Sequence, residues 1–180
     1  MINDYSVKFF FVIIFLFFAC TQLPLDQETE LKTPVQKSYE KYFHRNKNSL
    51  DPIEGIWTEY AVGTLYGDHK VIKRETEPKR ARWIVVKKGN IYKILNIYGN
   101  QHFFDASFTP TNKKGFYHFE CSIRETKDQI STMAQVFGFD RIEMAYNAPK
   151  GVFNDVYTLS NDNLELHWEI QWLKSTPPNN

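Results

Sequence analysis

The chain has 180 residues, of which 42% are hydrophobic and 16% aromatic, a composition that excludes a chain disordered throughout. Its formal net charge of +1 argues against broad nucleic-acid binding, so we expect no nucleic-acid partner. The length suits one domain with a tether better than two domains.

The first predicted element is a signal peptide. Residues 1–8 are polar and include Lys8, and an unbroken apolar run extends from Phe9 to Ala19. At about 1.5 Å per residue, a helix of this run falls well short of the roughly 30 Å of hydrocarbon in a bilayer. The pattern therefore predicts a secretion signal over residues 1–19 rather than a membrane span.

Residues Phe17 to Cys20 resemble the bacterial lipobox, in which a small residue precedes an obligatory cysteine, although Phe17 replaces the usual leucine. The resemblance implies lipidation of Cys20, so the membrane is the expected partner through this lipid anchor. Thr21 replaces the aspartate that would oppose onward transport, and we expect the bacterial cell envelope, at the outer membrane. An ordinary signal peptide or an uncleaved anchor is the alternative.

Residues 20–50 are predicted to form the lipidated cysteine, a tether and a short helix. The stretch 21–34 holds two prolines and no sustained apolar period, which is typical of an extended tether. Val35, Tyr39 and Phe43 fall at helical spacing, as does Tyr42, so an amphipathic helix within 35–48 could lie against the domain. A disordered segment is the alternative.

From Asp51 onward, turn signals such as Gly67-Asp68 and Gly89-Asn90 recur, mostly 10 to 13 residues apart. The segments between them are rich in β-branched and aromatic residues, which indicates consecutive antiparallel strands joined by hairpins. We predict strands near 54–64, 80–88, 91–98, 102–108, 116–123, 130–137, 140–146, 152–159 and 164–173.

The alternation of apolar and polar residues along these strands predicts that each strand has one buried and one solvent-exposed face. It is clearest from Leu164 to Trp172, and Phe116 to Ile123 shows it as well. Because an open sheet would leave two exposed edges, we predict an all-β fold, a single antiparallel up-and-down β-barrel of eight to ten strands. The barrel would span 51–175, followed by a C-terminal tail at 176–180. A sandwich is the alternative.

The first strand opens with Gly55-Ile56-Trp57, and here the sequence resembles the lipocalins and related calycin barrels, whose first strand begins Gly-x-Trp. The resemblance implies a lipocalin-like barrel in which Trp57 closes one end. Asp155-Val156-Tyr157 is similar to the Thr-Asp-Tyr motif of the family. The late arginine that stacks on the tryptophan in the family has no evident counterpart in or after the last predicted strand.

A barrel of this kind can hold a small apolar ligand, because inward side chains can leave a cavity. The alternative is that the aromatic residues fill the core. The candidate ligand-binding residues are Phe104, Phe119, Phe153, Tyr157 and Trp168, with Phe103 and Phe137 as further candidates.

Two polar patterns suggest weaker hypotheses. A basic segment could bind anionic lipid headgroups or an acidic partner, or could be a solvated hairpin face. The pairs His118-x-Glu120 and His167-x-Glu169 would suit a metal only on neighbouring strands, so we predict solvated surface and no metal site. The basic segment comprises Lys70, Lys73, Arg74, Lys79, Arg80, Arg82, Lys87, Lys88 and Lys93.

No familiar catalytic or phosphate-binding motif occurs, so we predict neither an enzyme nor a cofactor; an enzyme with an unfamiliar site is the third hypothesis. Cys121 is predicted to be a buried small hydrophobe. The leading hypothesis is a lipid-anchored protein that binds a small apolar ligand. The second is a protein-interaction module, an assembly accessory or immunity-type lipoprotein with a filled core. An apolar cavity of about 300 Å³ or more would favour the first.

Overall fold

The structure is a computed structural model that describes residues 31–149 and 163–176. Within these ranges it contains one helix and eight strands, numbered in chain order. The helix α1 covers Pro34–Arg45. The strands are β1 Gly55–Gly67, β2 Lys70–Lys88, β3 Ile91–Asn96, β4 Phe104–Pro110, β5 Phe116–Ile123, β6 Gln129–Phe137, β7 Arg141–Asn147 and β8 Leu164–Thr176.

The eight strands form a closed up-and-down barrel. Each strand pairs antiparallel with the next, and β1 pairs with β8, which closes the sheet. The predicted all-β, single up-and-down barrel is therefore confirmed, with eight strands in the described residues, and the sandwich alternative is wrong. The predicted strand at 152–159 lies outside the described residues.

Several strand boundaries differ from the prediction, and three of them have a clear local reason. The strand β2 begins ten residues early, at Lys70, because 70–79 pairs with β1 although nearly all of it is exposed and without apolar alternation. The strand β3 ends at Asn96, whose Oδ1 accepts hydrogen bonds from Tyr98 N and Asn100 N and turns the chain. The strand β4 begins at Phe104, after Gln101 donates to Ile94 O and Ala106 O.

The alternation predicted for the last strand appears as burial. From Leu164 to Trp172 every second residue of β8 is buried inside the barrel. The turns β2–β3, β4–β5 and β6–β7 lie at the end where β1 begins, here called the Trp57 end. The turns β1–β2, β3–β4 and β5–β6 therefore lie at the opposite end.

At the Trp57 end, the motif Gly55-x-Trp57 has a physical basis. Gly55 has a φ of +148°, and a Cβ there would lie 2.4 Å from Thr176 O, so only glycine fits without strain. Trp57 is fully buried and donates from Nε1 to Ile53 O at 3.0 Å. Lys174 Nζ lies 4.7 Å from the Trp57 ring centroid.

Lys174, directly after the last predicted strand, takes the place of the late arginine for which the sequence showed no evident counterpart. A lysine in the last strand covers the tryptophan ring, where the family resemblance implied an arginine. Its Nζ also donates to Pro52 O at 2.6 Å. Burial lowers the pKa of Lys174 to about 8, against the opposing effect of Glu54 and Asp140.

The helix α1 packs on the outside of the barrel, which decides between the helical and disordered alternatives for this segment. Thr33 caps it, since Thr33 Oγ1 accepts from Gln36 N at 3.0 Å, and Pro34 stands in its first turn. Its apolar side, Val35, Tyr39 and Phe43, covers an outer cluster of Ile56, Ile84, Val86 and Leu95. No helix in the described ranges is long and apolar enough to span a bilayer.

Phe43 should dominate this contact because its side chain is 0% exposed, whereas Tyr42 on the same helix is 42% exposed. Phe43→Ala is expected to lower the free energy of unfolding by about 3–5 kcal/mol, through lost burial and the cavity left behind. Urea unfolding followed by tryptophan fluorescence measures this change. Tyr42→Ala is the matched control and should cost much less; equal losses would show that α1 does not pack through Phe43.

Candidate functional site

The barrel contains a cavity of about 370 Å³, which extends from its middle toward the end opposite Trp57. One wall, from β1, β2 and β8, carries the charged pair Glu59 and Arg80. The other wall, from β3 to β7, is mostly apolar. The lining residues are Glu59, Arg80, Ala81, Trp83, Ile94, Phe103, Phe104, Ala106, Phe119, Cys121, Ile123, Ile130, Met144, Tyr146, Ile170 and Trp172.

A bulge in β2 brings Arg80 to this cavity. Glu59 pairs with Ala81 and Ala61 with Glu77, so Pro78, Lys79 and Arg80 together stand opposite Tyr60 alone. Lys79 has a φ of +53°, and Pro78 cannot donate a ladder hydrogen bond. Bulges redirect side chains, and here the guanidinium of Arg80 lies 4.2 Å from the Trp168 ring centroid, inside the barrel.

Glu59 is a buried carboxylate held by two indoles. Its Oε2 accepts hydrogen bonds from Trp83 Nε1 at 2.5 Å and Trp172 Nε1 at 2.9 Å. Its Oε1 lies 3.4 Å from Arg80 Nε. Burial raises the pKa of Glu59, and the attraction of Arg80 and the two indole donors opposes that rise only in part.

Arg80 has two acidic neighbours and spare donors. Its Nε lies 3.4 Å from Glu59 and 3.3 Å from Glu77 Oε2. Its terminal Nη groups make no hydrogen bond to any residue in the described ranges. The guanidinium therefore presents donors at the wall of the cavity, beside a carboxylate that balances its charge.

The five candidate ligand-binding residues fall in three places. Phe104 and Phe119 line the cavity. Trp168 is inward-facing and buried, but it packs between Gly63 and Arg80 instead of lining the space. Phe153 and Tyr157 lie outside the described residues. Of the two further candidates, Phe103 lines the cavity and Phe137 lies on the outer wall.

Sequence reasoning missed Glu59 and Arg80 as site residues. Arg80 belongs to the basic segment, and Glu59 is part of no recognisable motif. The available signal was Pro78, because a proline inside a strand favours an edge or a bulge. Indeed β3 pairs only with Trp83–Lys88 of β2, so the part of β2 that holds Pro78 has no partner on that side.

Cys121 and Tyr146 are the other ionisable groups of the lining. Cys121 is a half-buried free cysteine on the inner face of β5, where the predicted alternation places it, but it is less buried than expected because it borders the cavity. Burial raises the pKa of Cys121 to about 11 and that of Tyr146 to about 12. Both are neutral at pH 7.

The basic segment is largely paired with carboxylates. These pairs are Lys73–Glu75, Arg74–Glu169, Arg80–Glu59, Lys87–Asp51 and Lys93–Asp105. The segment therefore does not present one unbroken cationic face, which favours the solvated hairpin over a lipid-binding patch. Binding to anionic headgroups stays a prediction.

The two His-x-Glu pairs do not meet, because β5 pairs with β4 and β6 whereas β8 pairs with β7 and β1. His167 instead contacts Asn147 through Nδ1 at 2.7 Å, and Glu169 pairs with Arg74. Across the described ranges, no three His, Cys, Asp or Glu side chains cluster as metal ligands would.

A wider depression of about 670 Å³ lies along β1 and β6 to β8, lined in part by Met133, Phe137, Glu143 and Glu169. Its glutamates are paired with Arg141 and Arg74. The interior cavity is the better candidate site, although smaller, because it lies between the strands of the barrel and combines apolar surface with the buried carboxylate of Glu59 and the partly exposed guanidinium of Arg80. Comparison of the chain with protein-family models, curated proteins and solved structures gives no match.

The raised pKa of Glu59 predicts a pH dependence. A folded-state pKa above the unfolded value means that the group stabilises the fold most at low pH and that this contribution is lost as pH rises through the folded-state pKa. The stability of the wild type relative to Glu59→Gln should therefore be greatest below the ordinary glutamate pKa of 4.5 and fall as the pH rises above it.

Urea unfolding at several pH values measures this difference, with Glu165→Gln, an exposed glutamate of β8, as the control for loss of an acidic group. If the relative stability of the wild type rose with pH instead, pairing with Arg80 would outweigh burial.

Proposed function

We propose that this protein is a lipid-anchored, lipocalin-like protein of the bacterial envelope that binds a small apolar molecule inside its barrel. The observation that carries the proposal is the interior cavity of about 370 Å³. This volume exceeds the value of about 300 Å³ above which we expect ligand binding rather than a filled core, and it lies within the range of known ligand pockets.

The chemistry of the lining supports a ligand that is mainly apolar. Phe104, Phe119 and Ile130 offer apolar surface, and the two cavity indoles are already bonded to Glu59. At about 30 Å³ per water-sized group, the cavity holds about twelve non-hydrogen atoms. This suits a short-chain amphiphile better than a large lipid.

The anchor supports the same function by location. Acyl chains on Cys20 would keep the barrel at a membrane, where apolar molecules concentrate. The tether between Cys20 and α1 would let the barrel reach that surface. The competing hypothesis, an interaction module, requires a filled core, so the cavity weighs against it.

Ligand binding is tested with octyl acetate, a neutral probe of matching size, titrated against the fluorescence of Trp83 and Trp172. Ala106→Phe should weaken binding by at least about tenfold, because Ala106 is 3% exposed and borders the cavity, so the added ring would occupy it. The fold is checked by circular dichroism, since overpacking costs about 1–3 kcal/mol.

The matched control is Ala145→Phe, at an exposed position of β7, which should bind as the wild type does. Equal binding by the wild type and Ala106→Phe would place the probe elsewhere. No binding by the wild type would contradict the proposal. Mass spectrometry of natively purified protein would identify the molecule that it retains.

Lipidation is tested separately by expressing the full chain in bacteria. The wild type should sediment with membranes and carry the mass of acyl chains on its N-terminal peptide, whereas Cys20→Ser should lose both properties. Cys121→Ser, the other cysteine, is the control and should behave as the wild type does. Membrane attachment of Cys20→Ser would point to an uncleaved anchor.

A further inference from the structure

We propose that Glu59 is a specificity-determining residue that restricts the cavity to neutral amphiphiles with an uncharged hydrogen-bond acceptor, such as an ester or ketone carbonyl, and excludes anionic amphiphiles of the same size. This inference rests on the proposed function. It follows from which donors and acceptors the cavity leaves available.

The donors available to a ligand come mainly from Arg80. Its guanidinium borders the cavity, and its Nη groups bond to no residue in the described ranges. An acceptor atom of a ligand would satisfy them. The acceptors of Glu59 are already engaged, Oε2 by two indoles and Oε1 by Arg80, so a ligand donor has little to bind there.

The charge balance decides which kind of acceptor fits. Arg80 carries one positive charge and has the carboxylates of Glu59 and Glu77 within 3.4 Å and 3.3 Å of its Nε. An anionic head would add a further negative charge beside a buried carboxylate, where little water screens the repulsion. A cationic head would approach Arg80 itself. A neutral carbonyl meets neither repulsion and still accepts from the guanidinium.

Glu59 is placed for this role and not for stability alone. A buried carboxylate costs free energy unless it is well paired, and its Arg80 contact is long for an ion pair. Without Glu59, Arg80 would be a partly uncompensated cation at an apolar cavity, which is a site for anions. Glu59 therefore makes the cavity prefer neutral over anionic ligands, while Arg80 donates the hydrogen bonds to the ligand.

The experiment compares octyl acetate with octyl sulfate, which share one alkyl chain, while only the sulfate carries a permanent charge. At about pH 7 the wild type should bind octyl acetate at least about tenfold more tightly than octyl sulfate, given the Coulomb repulsion at such distances. In Glu59→Gln the affinity for octyl sulfate should rise by about tenfold or more, with little change for octyl acetate. Glu165→Gln should resemble the wild type.

A second measurement needs no variant of Glu59. Lowering the pH in steps from neutral to acidic favours the neutral form of Glu59, whose pKa burial raises, while the sulfate stays charged. The titratable and charged groups near Glu59 are Arg80 and Glu77 of β2 and Tyr146 of β7, and Cys121 of β5 lines the same cavity. Octyl sulfate should bind more tightly at the lower pH, whereas octyl acetate should bind equally at each pH. The same pH series on Glu77→Gln shows how much of the change in affinity comes from protonation of Glu77.

The outcomes separate the two proposals. Octyl sulfate bound by the wild type as tightly as octyl acetate, or unaffected by both Glu59→Gln and the lower pH, would overturn the selectivity and leave ligand binding intact. Failure of the wild type to bind either probe would overturn the proposed function and this inference with it. If Glu59→Gln did not fold, the pH series on the wild type would decide.

Discussion

The pairing of β1 with β8 is the constraint on which the rest of this structure depends. It extends from Ile56 opposite Thr176 to Gly67 opposite Leu164, and it closes a meander of eight strands into a barrel. Gly63 makes the close approach possible, because a Cβ there would lie 2.8 Å from the Trp168 ring. The same strand supplies Trp57 and Glu59, so closing the barrel also positions its plug and its charged site.

The distribution of side-chain sizes explains why the closed barrel still contains space. Toward the Trp57 end, Tyr117 contacts both Tyr92 and Phe108 edge to face. Phe108 also contacts Trp172, with ring centroids 5.6 Å apart. Toward the opposite end, the inner positions include Ala81, Ala106 and Cys121. Small residues at these positions leave the cavity, and one added ring would close it.

Alternation in the sequence was sufficient to predict most of the barrel. Strands such as β8 and β5 bury one face, so the period of two is visible in their residues. The first half of β2 could not be predicted in this way, because it is almost entirely exposed and joins the sheet only through its pairing with β1. Its charged residues indicated a surface and not a strand.

The candidate site was predictable only on its apolar side. Phe104 and Phe119 belong to strands whose inner faces the sequence marks, and they line the cavity. Arg80 reaches the interior through a bulge that shifts its register, and a pattern of alternating residues cannot show such a shift. Lys174 was missed because the family resemblance directed attention to an arginine, whereas the contact with Trp57 requires only a cation.

Charged side chains lie at two levels of the barrel, and their hydrogen-bond partners differ. At the Trp57 end, the buried Glu54 accepts from Asp51 N and Lys87 N at 3.0 Å each, and Lys174 donates to Pro52 O. These charged groups bond to backbone atoms and fix the segment before β1 against the Trp57 end of the barrel. In the part of the chain that the structure describes, Glu59 and Arg80 contact polar groups of side chains only, and both line the cavity. Glu59 is buried whereas the Arg80 side chain is 32% exposed, so the pair joins the interior of the barrel to the solvent at the edge of the cavity, where its charge could act on a ligand under the proposed function.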